Sequence, residues 1–221
     1  MASLTVENYL KTIHQICSAQ DGAPAATGQL AAALAVSPGT VTSMLKTLSD
    51  GGLAKYTPYE GALLTPAGNS LALRILRRHR LIELFLTKTL ELTWDEVHEE
   101  AENMEHAVSD LLVDRIDAFL GYPRVDPHGD PIPRADGSLE DAVRQTLAEC
   151  AVGKRFRFAR VIDQSPEFLR YLSESGLALG AVGEVQANRV EAGIVTINVA
   201  GQQTTLGRAA AEKILVAATD E

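Results

Sequence analysis

The stretch "VHEEAENMEH", residues 97 to 106, sets His98, Glu102, Glu105 and His106 at positions i, i+4, i+7 and i+8. At about 100° per residue, a helix would gather the four within roughly 100° of its circumference. Upstream, His79 and Glu83 form a further i, i+4 pair that shares a helix face. Imidazoles and carboxylates without a thiolate suit Mn(II), Fe(II), Co(II) or Zn(II), and the carboxylate majority leans towards the harder Mn(II) and Fe(II). Taken singly, each residue is more simply a solvated side chain, since six of the residues between 95 and 105 are acidic. The joint pattern is what points to a cation. The zinc-protease signature H-E-x-x-H fails, because its fifth position is Glu102, and the inverted form H-x-x-E-H fails because "ENMEH" opens on glutamate.

These residues need helices to position them. An apolar stripe of Val97, Ala101, Met104, Val108, Leu111 and Leu112 beside the ligand face predicts one helix over 94–120, with that stripe as its buried side. Residues 67–92 read as a long helix whose Leu71, Ile75, Leu76, Leu81, Ile82, Leu84, Phe85 and Leu86 are too apolar for a solvated helix and predict burial against another subunit. Before it, residues 4–18 carry a helical pattern, and "TGQLAAALAVSPGTVTSMLKTLSDGG" reads as helix, turn, helix. Thr27 is a candidate cap for the first of these, and Ser37-Pro38 opens the second. Val41, Met44, Leu45 and Leu48 form its buried stripe. "LAKYT" and "ALLT" flank the turn "PYEG" as a hairpin, and Thr65-Pro66 starts the next helix. Helix-turn-helix followed by a hairpin is the winged-helix pattern, whose second helix enters the DNA major groove. The candidate DNA-facing residues are Ser37, Pro38, Gly39, Thr40, Thr42, Ser43 and Lys46. The plainer alternative is a small α+β domain of no special role.

"GYPRVDPHGDPIPRADGS" (121–138) reads as a connector. From about residue 150 the pattern changes: "KRFRFARVI" alternates as a strand, "SPEFLRYLSESG" is a capped helix, and "AVGEVQANRVEAGIVTINVAGQQTTLG" gives short strands with glycine turns. This is a small barrel-like β domain.

The chain has 221 residues and a net charge of −9. Residues 1–80 hold 7 Lys/Arg and 4 Asp/Glu (+3), 81–126 hold 3 and 12 (−9), and 127–221 hold 10 and 13 (−3). Because electrostatic footprints are local, the mildly basic first segment can still face phosphates. Two cysteines in no CxxC spacing exclude a disulfide scaffold and a thiolate zinc site. No apolar run approaches the ~20 residues of a membrane span. "MASLTVENYLKTIHQ" has no basic stretch followed by an apolar run, so no signal peptide and a cytoplasmic location are expected.

On "ENYLKTIH", "LAVSPGTVTSMLKTLSDGGL", "LLTPAG", "RRHRLIELFL", "VHEEAENMEH" and "DPHGDPIP", the chain resembles the diphtheria-toxin-repressor family of iron- and manganese-dependent transcriptional regulators. The resemblance implies a mainly α fold with small β. A winged helix-turn-helix would occupy 1–72, a helical metal-binding and dimerisation domain with connector 73–138, and an SH3-like β-barrel domain 150–221. It also implies a non-enzymatic repressor that binds a palindromic double-stranded DNA operator as a homodimer and controls metal-uptake genes. Two Mn(II) or Fe(II) sites per subunit are expected, with no organic substrate and no membrane. The primary site implied is Asn8, Glu102, Glu105 and His106. The ancillary site implied is His79, Glu83 and His98, completed by Gln164 and Glu167 of "DQSPE", with Asp163 as a substitute. Iron sensors of the family have cysteine where Glu102 stands and manganese sensors have glutamate, which favours manganese. Asn8 matches neither the methionine of the iron sensors nor the aspartate of the manganese sensors, and Lys11 replaces a ligating glutamate of some manganese sensors. The alternatives are an Fe(II)-dependent regulator of iron uptake, a regulator answering an organic ligand, and a metal-binding enzyme that carries a winged helix.

Overall fold

The computed structural model describes residues 4–140 and 143–219. They divide into two compact units. One is formed by the chain up to His79 with Pro133–Ser138, the other by Arg80–Ile132 with the chain from Leu139 onward.

In the first unit, α1 (Leu4–Ala19), α2 (Thr27–Ala33) and α3 (Pro38–Asp50) precede the hairpin of β1 (Ala54–Thr57) and β2 (Gly61–Leu64). α3 begins where the sequence says it should: the Ser37 hydroxyl accepts the Thr40 amide, and Pro38 occupies the first turn, where no intrahelical donor is needed. α2 starts differently from expectation. Ala26 is its cap residue, and the Gln29 side chain reaches back to the Ala26 amide, so Thr27 lies inside the helix. Leu10, Ile13, Leu30, Val41, Leu45 and Leu48 form one core with the hairpin's Ala54 and Ala62. α4 (Pro66–Leu90) is entered through Thr65, whose hydroxyl accepts the Gly68 amide. A Cβ on Gly68 would stand 1.9 Å from the Leu53 carbonyl oxygen, so only glycine lets the helix start so close to β1.

In the second unit, the later part of α4 is buried on two sides. Leu81, Leu84 and Phe85 pack with Val113, Ile116 and Ile132, while Ile82 and Leu86 pack with Val97 and Ala101. The chain itself covers Leu81, Ile82 and Leu86, so for these three the expectation of burial against another subunit is corrected. A second correction concerns 94–120. It is two helices, α5 (Val97–Met104) and α6 (Asp110–Phe119). Ser109 is the reason for the restart, since its hydroxyl accepts the Leu112 amide and caps a new helix. The break rotates the second piece, so that Val113 and Ile116 are buried while Leu111 and Leu112 are 69% and 46% exposed.

A 3-10 turn at Leu147–Glu149 precedes β3 (Arg155–Val161), α7 (Pro166–Glu174), β4 (Val182–Arg189), β5 (Ile194–Val199), β6 (Gln202–Gly207), α8 (Arg208–Ala211) and β7 (Ile214–Ala218). The strands form one antiparallel sheet in the order β6-β5-β4-β3-β7, the small SH3-like module. Its core, led by Phe156, Phe158, Leu169, Val195 and Ile197, also takes Trp94 from the loop before α5.

Candidate metal centre

Glu83 is the inward carboxylate of α4, and its side chain is 1% exposed. Its Oε1 lies 3.2 Å from His98 Nδ1 of α5, and the other nitrogen of His98 lies 3.8 Å from Glu102 Oε1, one turn along the same helix. His79 precedes Glu83 by one turn of the unbroken helix and shares its face. In the turn that follows α5, Glu105 is fully buried and its Oε1 lies 3.2 Å from His106 Nε2. The helix break thus carries this pair off α5 and into the bend between α5 and α6.

The connector supplies two residues that the motif reading passed over. Glu83, Asp126 and His128 are all buried, and each offers a ligand atom within 4.8 Å of the others. A tight turn builds this arrangement. Asp126 Oδ1 accepts the amides of His128 (2.8 Å) and Asp130 (2.9 Å), and its main chain pairs with Asp130 and Gly129. Gly129 has φ of +85°, and a Cβ there would stand 2.1 Å from the Ala159 carbonyl oxygen, so the turn lies directly on β3. His128 hands its Nε2 to the Trp94 carbonyl at 2.7 Å and stacks on the Trp94 ring. That bond leaves Nδ1 as the nitrogen facing Glu83 Oε2, at 3.8 Å. Burial, with the charges of Asp130 and Glu83, pushes the Asp126 carboxyl up to about 7. Burial alone would lower the His128 pKa, but Glu83 and Asp126 outweigh it and raise it. Such a group gathers protons when no cation is present, as a buried hard-ligand site should. The sequence signal was there in "DPHGD", an Asx-type turn with a glycine; its distance from the helical motif hid it.

The other expected residues divide. Gln164 donates to Asp130 Oδ2 at 2.7 Å, Glu167 is exposed in the first turn of α7, and Lys213 binds Asp163 at 2.7 Å. The Lys213 hydrogen bond holds the Asp163 carboxyl at about 2. Among the described residues, no close group of ligand atoms includes Glu167 or Asp163. Asn8, on α1, buries its amide oxygen with no hydrogen-bond donor on it. Neither thiol competes: burial pushes Cys17 and Cys150 up, and each donates to a carbonyl. The donor set therefore fits a hard divalent ion.

On α3, Gly39, Thr40, Ser43 and Lys46 are exposed. Ser37 is occupied as the cap, Pro38 forms the first turn, and the Thr42 hydroxyl donates to the Pro38 carbonyl.

Family models match all three parts of the chain. They are "Iron dependent repressor, N-terminal DNA binding domain" over 1–62, "Iron dependent repressor, metal binding and dimerisation domain" over 65–134, and "FeoA domain" over 145–218. The diphtheria toxin repressor of Corynebacterium glutamicum is 34% identical over 186 residues, covering 80% of this chain and 81% of that protein. The chain belongs to the diphtheria-toxin-repressor family. The iron-dependent repressor IdeR of Mycobacterium leprae is 33% identical over 162 residues, 73% of this chain and 68% of its own. A solved manganese-dependent transcriptional repressor in complex with manganese superposes with a TM-score of 0.86 at 39% identity, covering 97% of this chain and all of that one. As a repressor of this family, the chain combines a DNA-binding winged helix, a metal-binding and dimerisation segment and an SH3-like module. No helix among the described residues is long and apolar enough to cross a membrane.

Proposed function

We propose that this repressor senses Mn(II) through two cation sites per subunit and binds a palindromic operator as a homodimer, shutting off metal-uptake genes. The observation that carries this reading is the buried Glu83–Asp126–His128 group, a hard donor set with no thiolate. One site comprises Glu83, Asp126 and His128 with His98 and His79, and Gln164 and Glu167 stay as the ligands that the family resemblance implies for it. The other comprises Asn8, Glu102, Glu105 and His106. The bound ion supplies positive charge that offsets crowded carboxylates. The chain's own residues do the rest: Trp94 and the amides of 128 and 130 orient the ligands, and the exposed face of α3 presents Gly39, Thr40, Ser43 and Lys46 to the major groove. Leu111, Leu112 and Phe119 lie within about 100° of one another on α6 and are exposed, an apolar face suited to a second copy. Metal then shifts a conformational equilibrium by its differential affinity for the DNA-competent state.

The test is an anaerobic operator-binding titration with Mn(II), Fe(II) and Zn(II), on the parent protein and on His128→Ala and Glu105→Ala. Mn(II) should activate binding at the lowest concentration, and each variant should need more. Equal activation of all three proteins would overturn the site assignment. Preferential activation by Fe(II) would make iron the signal.

A further inference from the structure

The two oxygens of Asp126 are used differently. Oδ1 is committed to the amides of His128 and Asp130, so Oδ2 is the oxygen left for a cation. A cation already stands there. Arg80 Nε lies 3.6 Å from Asp126 Oδ2, Arg80 Nη2 lies 3.8 Å from Asp130 Oδ2, and Nη1 donates to the Pro131 carbonyl. The Arg80 and Asp126 side chains are 12% and 2% exposed, so little water screens the pair. Asp130 has further partners, Arg160 on Oδ1 and Gln164 on Oδ2.

We propose that Arg80 is a resident counter-ion that sets the metal concentration at which the Glu83–Asp126–His128 site fills. This rests on the reading of that group as a cation site. Arginine keeps its charge at any ordinary pH, so an arriving ion does not displace it as it displaces a proton. Arg80 stands beside Asp126 and Asp130 beforehand and opposes the ion's charge afterwards, at a separation where like charges in a partly dry interior interact strongly. It also helps position the turn, which by itself would favour binding. The positioning is duplicated by the two amides on Asp126 and by Arg160 and Gln164 on Asp130, whereas the positive charge beside Oδ2 comes from Arg80. Repulsion therefore outweighs positioning.

Calorimetry with Mn(II) on the full chain decides it. Arg80→Gln keeps a donor for Pro131 without the charge, and should tighten one transition by about tenfold, or roughly 1.4 kcal/mol. Its metal-free melting temperature should fall and the rise on adding Mn(II) should grow. Arg80→Lys should bind like the parent, and Arg160→Gln should lose stability with its Kd unchanged. His128→Ala identifies the transition by abolishing it; undiminished stoichiometry there would overturn the underlying site reading. With that reading intact, an unchanged or weaker Kd in Arg80→Gln, or a lysine variant that behaves like the glutamine one, overturns the counter-ion role. Should Arg80→Gln fold only with metal, the rate of Mn(II) loss to a chelator is the measurement: slower release than the parent supports the role, faster release refutes it.

Discussion

Asp126 shows how much chemistry one connector residue carries. Its carboxyl titrates near 7 in the folded chain against an ordinary 3.8. Between about pH 4 and 7 the folded state therefore holds a proton that the unfolded state has lost, and stability falls as pH rises through that window. Thermal melts at pH 5 and 7.5 in chelator should show this loss, with a smaller loss in Asp126→Asn. Saturating Mn(II) should remove it from the parent, because the ligating form is already deprotonated. Asn8 makes the complementary case. Its buried amide oxygen offers a ligand but no charge, so Asn8→Asp should tighten Mn(II) binding and lower the concentration that activates DNA binding. An unchanged calorimetric profile would remove position 8 from the ligand set. Of these two residues, only Asn8 was legible beforehand, through the family resemblance. Asp126 has no helical period to betray it, and its partner Glu83 lies 43 positions away, brought close by the fold.

At the scale of elements, legibility followed local chemistry. Ser37-Pro38 announces α3 because capping is a short-range interaction between neighbours. The restart at Ser109 uses the same device, yet Val108, Leu111 and Leu112 continue an apolar rhythm that disguises it. Rhythm alone does not say whether an apolar face meets the chain's own core or another surface. β7 escaped notice for a related reason: Ile214, Leu215 and Val216 are all buried, so the strand lacks the alternation that marks a half-exposed one. Gly129 is the element-level test of the site. A side chain there is strained by the positive φ and collides with the Ala159 carbonyl. Gly129→Ala should cost about 3 kcal/mol of stability. It should also weaken Mn(II) binding, since His128 is the neighbouring residue. Calorimetry beside chemical denaturation checks both, and a loss of stability with unaltered metal affinity would separate the turn from the site.

For the whole molecule, the exposed Leu111, Leu112 and Phe119 make assembly the natural quantity to perturb. Leu112→Glu with Phe119→Glu should yield a folded monomer by sedimentation, with operator affinity reduced at least tenfold because one winged helix contacts only one half-site. A dimer that persists in this variant would place the interface elsewhere.

Trp94 is the chain's one tryptophan, and its ring lies 6.4 Å from that of His128 at an interplanar angle of 9°. The protein therefore contains its own optical gauge. The emission of this indole should change when the neighbouring imidazole gains a proton or a metal. A fluorescence titration with Mn(II) should follow the filling of the site that holds His128. His128→Ala should silence the signal, and comparing the parent's midpoint with its total heat of binding would show whether a second ion binds elsewhere and in which order.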